Sequence, residues 1–127
     1  MNRAEAALAG ALLLGGLINA LPVMGLFGGG ALASLYGMPF EDASVRILMR
    51  HRALLFGLLG GAMVAAAFVP GWRRPMAVTG LVSMLGFLLL AALEGGGNAA
   101  IRRVVLADLV ACLALVPALA WAVWMKP

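Results

Sequence analysis

A chain of 127 residues that is 65% hydrophobic and only 11% charged cannot dress the surface of a water-soluble domain, in which about a quarter of residues are charged. Its net charge of +4 comes from basic residues scattered in ones, twos and threes between apolar runs, a pattern of membrane-flanking anchors rather than of a nucleic-acid surface. A bilayer is crossed by roughly 20 apolar residues, so the length accommodates four spans with short loops. The expected fold is an all-α integral membrane four-helix bundle, a single transmembrane domain over residues 1–127.

The first apolar run begins near Ala6 and meets no charge until Glu41. It resembles a signal peptide at its start but reads more simply as an uncleaved first span. It is too long for one crossing, and Pro22 and Gly28-Gly29-Gly30 are its natural breakers. The first span is therefore expected over about 6–27, followed by an interfacial or re-entrant segment from Ala31 to Phe40 with Tyr36 at headgroup level.

Glu41 to Arg52 is the densest charged stretch, and the second span follows over about 44–69. Small residues there, Gly57 and Gly61 with Ala65 beyond, have the i, i+4 spacing that lets membrane helices approach closely. Gly71-Trp72-Arg73-Arg74-Pro75 reads as an interfacial turn. The third span is expected over about 75–93. Glu94-Gly95-Gly96-Gly97-Asn98 closes it, and the fourth runs over about 99–124 with a kink at Pro117. Trp121, Trp124 and Lys126 mark its exit.

Four spans put both termini and the Arg73-Arg74 turn on one side of the membrane. That side carries Arg3, Arg73, Arg74 and Lys126, and the other carries Arg46, Arg50, Arg52, Arg102 and Arg103. A rule that counts cations does not separate the two orientations; cytoplasmic termini are the working choice.

The polar residues narrow the chemistry. His51 is the only histidine and Cys112 the only cysteine, so one chain can build neither a bis-histidine haem site nor a zinc cluster, and no metal or cofactor is expected. No serine has a histidine or cysteine at a recognisable spacing, no glycine run sits in a phosphate-binding pattern, and no catalytic residue is assigned. Ser34, Ser44 and Ser83 read as structural, as do Cys112 and the dispersed methionines.

Asp108 stands out. It is expected about six residues inside the fourth span, roughly 10 Å deep at 1.5 Å per residue, where an ionised carboxylate must pair, protonate or line a watery cavity. Arg50, His51 or Arg52 at the start of the second span, and Asn19 on the first, are its candidate partners. Two readings stand side by side: a polar pocket for a headgroup, a quinone carbonyl or a proton, and an ion pair stapling the second span to the fourth. Arg46, Arg102 and Arg103 are candidate headgroup-binding cations.

Leu35-Tyr36-Gly37, Glu41-Asp42 and the run from Leu48 through Arg50-His51-Arg52 to Gly57 resemble small bacterial four-helix membrane proteins of the DoxX type. The resemblance implies a bacterial inner-membrane location and a quinone-linked or accessory role in a respiratory complex. With no catalytic machinery visible, the leading expectation is an accessory or scaffold subunit of a larger membrane complex. The alternative is a binding protein or carrier for a lipid, quinone or other hydrophobic molecule, with proton coupling through Asp108. Expected partners are membrane lipids and a membrane protein or a second copy of the chain, not nucleic acid.

Overall fold

The structure is a computed structural model that describes residues 1–125; Lys126, expected at the exit of the last span, lies outside them. Helix α1 (Arg3–Ala20) runs on into a 3₁₀ segment (Leu21–Phe27) and is followed by a short α2 (Gly29–Tyr36). Helix α3 (Ala43–Phe68), a 3₁₀ turn (Pro70–Trp72), α4 (Arg73–Leu93) and α5 (Ala99–Trp124) complete the fold. Four of these stretches, Arg3–Phe27, Ala43–Phe68, Pro70–Leu93 and Ala99–Trp124, are long and apolar enough to cross a membrane.

Helices α1, α3 and α5 start where a polar side chain satisfies one of their free N–H groups. Asn2 accepts from the Glu5 N–H at 2.8 Å, Asp42 from Ser44 at 2.9 Å and Asn98 from Ile101 at 2.9 Å. Pro22 ends the α-helical part of the first span by removing a backbone donor, and the chain tightens to 3₁₀ geometry instead of stopping. The run continues to Phe27 as expected. Pro117, by contrast, lies inside α5, which continues to Trp124.

The glycine run at 28–30 breaks the chain only at Gly28, whose φ of 130° is open to glycine alone. Gly29 and Gly30 already belong to α2, which ends at Gly37 with φ of 68°. Tyr36 corrects the sequence reading: it is 4% exposed, not an interfacial anchor. Leu32 and Tyr36, one helical turn apart on the inner side of α2, form a small core with Phe40 from the segment that follows the helix.

The helices form a closed ring in which α1 packs against α3 and α5, and α4 packs against the same two. Helices α3 and α5 are diagonal and do not pack on each other. The surface is apolar on every span, including Leu17, Ile47, Leu58, Val82, Leu89 and Leu113. An outside this greasy matches a lipid solvent.

The small-residue contact lies inside the chain. A Cβ on Gly60 would fall about 2.6 Å from the Ala20 nitrogen, and one on Gly16 would fall 2.8 Å from the Gly60 carbonyl oxygen. Gly57 packs against Val23 as a close-approach residue, but Gly61 has nothing near it. Positions 57, 60 and 64 share one helix face and position 61 is turned about 100° from Gly60. The pair Gly57 and Gly61 is thus corrected to Gly57 and Gly60. Beside this contact, Met63 is fully buried, with its methyl against both Gly15 and Gly80.

The Arg73-Arg74 turn is another correction, since these residues are not free interfacial cations. Helix α4 begins at Arg73, which is 6% exposed, donates twice to the Ala67 carbonyl (2.9 and 3.3 Å) and lies 3.6 Å from the Glu5 carboxylate. Arg74 donates to the Ala122 carbonyl at 3.0 Å. Both arginines satisfy carbonyls at the C-terminal ends of helices, where the backbone lacks partners.

Candidate functional site

At the opposite end of the bundle, the gap between diagonal helices is a cavity of about 320 Å³. Five elements contribute to it. The first span supplies Asn19, Leu21 and Pro22, α2 supplies Ser34 and Tyr36, α3 Arg52 and Phe56, α4 Phe87, and α5 Arg103 and Asp108.

Arg52 and Asp108 enter from matching positions along their helices. Arg52 is the tenth residue of α3 and Asp108 the tenth of α5, each nine steps, about 14 Å, along its helix. A 26-residue helix is about 39 Å long against a hydrocarbon core of about 30 Å, so both groups lie well below the surface. Helix α5 starts at Ala99, as expected for the fourth span, and Asp108 lies nine residues along it rather than the six expected from the sequence.

Arg52 is caged. Its guanidinium carbon lies 4.5 Å from the Phe56 ring centre, 5.5 Å from Tyr36 and 5.9 Å from Phe87. Its Nη1 donates to the Tyr36 hydroxyl at 2.6 Å. Phe56 is one helical turn beyond Arg52, so the i, i+4 spacing lays ring and cation together. Placing an arginine at the centre of a membrane helix costs about 2.5–3.5 kcal/mol on insertion scales. A desolvated cation–π contact returns about 2 kcal/mol, and a hydrogen bond from a charged donor about 1.5–3 kcal/mol.

Asp108 has no such company. It is 7% exposed, yet among the described residues no side-chain hydrogen bond reaches its carboxylate and no cation lies within ion-pair distance of it. The diagonal placement of α3 and α5 explains the separation from Arg52. Asn19 is 3% exposed and donates from Nδ2 to the Gly15 carbonyl at 2.8 Å, which fixes its amide and leaves its oxygen as an acceptor.

The structure therefore brings together Asp108, Arg52 and Asn19 and leaves out two of the expected partners. Arg50 is exposed and donates from Nε to the Leu26 carbonyl at 2.9 Å, holding the end of the 3₁₀ segment. His51 is exposed and outside the cavity lining. The three residues sit about 100° apart around one helix, so only Arg52 can point inward. Among the headgroup candidates, Arg103 lies at the cavity rim and Arg102 is exposed away from it. Arg46 donates to the Phe40 and Glu41 carbonyls and ties down the chain before α3.

Sequence reasoning missed Tyr36, Phe56 and Phe87. The Arg52 to Phe56 spacing is a legible signal; Phe87 carries none, because its approach depends on how α4 packs. Among the described residues no group of three His, Cys, Asp or Glu could hold a metal ion. Comparison with protein-family models, curated proteins and solved structures finds no match.

Proposed function

We propose that this multi-pass membrane protein binds a small amphipathic molecule in the cavity between α3 and α5. The observation that carries the reading is a carboxylate and a guanidinium at matching helical positions in a mostly apolar chamber, with the carboxylate unpartnered among the described residues. The chamber is at the small end of the range of about 300–1,000 Å³ typical of ligand sites, and its few polar groups among apolar walls are the usual composition of such sites. An ion pair meant only to staple two helices would have its partners in contact. The bilayer in this reading is a bacterial inner membrane, the setting of helical rather than barrel spans. A DoxX-type relationship is compatible with it and would add quinones to the candidate ligands.

The test is native mass spectrometry of the protein extracted from its own membrane in mild detergent. A monomer or homodimer carrying a discrete small molecule, lost in Asp108→Leu but kept in the exposed-site variant His51→Ala, is the expected result. A stoichiometric larger protein partner with an empty cavity would overturn it in favour of an accessory subunit.

A further inference from the structure

The cavity walls are divided by chemistry. Below the rim, where α5 also places Arg103, helices α1 and α5 contribute acceptors, namely the Asn19 amide oxygen and the Asp108 carboxylate, whereas α2 and α3 contribute the Ser34 and Tyr36 hydroxyls and the Arg52 guanidinium as donors. On the donor side, Arg52 spends Nη1 on Tyr36 and keeps its other N–H groups, while the Tyr36 hydroxyl, accepting from Arg52, retains its own hydrogen to give. A head that fills this space must donate toward one wall and accept from the other.

Charge narrows the choice further. Arg52 and Asp108 stand at the same helical depth, so a head deep enough to meet one also meets the other. An anionic head would be carried against Asp108 and a cationic one against Arg52, in a medium where like charges repel strongly. Arg103 is exposed at the rim, where phospholipid headgroups and water screen it. The cavity also reaches the side of the bundle: Leu21, which lines it, is 66% exposed and borders the lipid. An apolar tail has a way out into the bilayer there.

We infer that the ligand is an uncharged amphiphile whose head carries a hydroxyl or amide N–H donor beside a carbonyl or hydroxyl acceptor. Monoacylglycerols and primary fatty amides represent the class. The inference rests on the binding role proposed above and adds the selection rule to it.

The test uses the full chain in phosphatidylcholine nanodiscs and five probes with matched chains: monolaurin, dodecanamide, methyl laurate, laurate and dodecyltrimethylammonium. Monolaurin and dodecanamide are expected to bind saturably and at least about tenfold more tightly than the acceptor-only methyl laurate, since one hydrogen bond to a charged group is worth about 1.5–3 kcal/mol. Laurate and dodecyltrimethylammonium are expected to bind more weakly than either. Asp108→Leu should bring monolaurin down to the methyl laurate level. Asp108→Asn, which keeps the shape and removes the charge, should admit laurate, a gain that misfolding cannot produce. Tightest binding of a charged probe, or equal binding of methyl laurate and monolaurin, would overturn the selection rule and leave the binding role standing. If no probe binds saturably, the binding role falls with it.

Discussion

Arg52 and Arg73 show two ways of keeping a guanidinium in a protein that offers it almost no water. Arg73 is placed over backbone: it closes the carbonyl at the end of α3 and pairs with Glu5, whose second carboxylate oxygen is buried without a partner. Arg73→Met should lower stability by roughly 2 kcal/mol, less than the 3–5 kcal/mol of a fully buried pair because Glu5 is partly exposed. In Arg73→Met with Glu5→Gln part of that loss should return, and thermal unfolding in detergent of the unaltered protein, the two single variants and the double variant reads the coupling. Arg52 relies on rings instead. Phe56→Leu, which removes the nearest of them (4.5 Å), should cost about 1–2 kcal/mol, and Arg52→Lys should not restore it, because an ammonium cannot stack. A Phe56→Leu melting temperature equal to that of the unaltered protein would sink this account of the cage.

Among the helices, the α1–α3 contact is where backbone meets backbone, and it makes a paired prediction. Gly60→Ala drives a methyl into the backbone of α1 and should destabilise by about 1–3 kcal/mol, the usual range for overpacking. Gly61→Ala, one residue on and in open space, should leave the melting temperature unchanged or slightly raised. Equal effects would mean that the helix face has been misassigned. The spans themselves were legible because each needs only an uninterrupted apolar run with caps and breakers at its ends, and Asn2, Asp42 and Asn98 supply the caps. The face of each helix was not legible. When all sides are apolar, the alternation that marks an inward surface in water is missing, so nothing in the sequence distinguishes Gly60 from Gly61 as the close-approach residue or turns Tyr36 inward. The burial of Arg73 was hidden for a related reason: a cation beside a tryptophan and two prolines has the look of an interface anchor until the end of α3 is seen to need a donor.

The bundle is held differently at its two ends. The end bearing the Glu5–Arg73 pair leads into the Gly16–Gly60 contact and the Met63 side chain lodged between Gly15 and Gly80, so α1, α3 and α4 are locked together there. The cavity end is covered by α2, hung between two positive-φ glycines. Hydrogen exchange should accordingly be slowest in α1 and the second half of α3 and fastest in α2, and uniform protection would contradict this division. Tyr36 is what keeps the cover in place: its carbonyl accepts from Asn98 at 2.7 Å and its hydroxyl from Arg52 at 2.6 Å. Tyr36→Phe removes the second tie alone and should speed exchange across Gly29–Tyr36 without touching the far end. The same residue is therefore both latch and wall. Any molecule that displaces Tyr36 from the Arg52 donors spends part of its affinity on unlatching α2, and by thermodynamic reciprocity a partner that grips only the latched α2 from outside weakens such an occupant by the same coupling free energy by which the occupant weakens the partner.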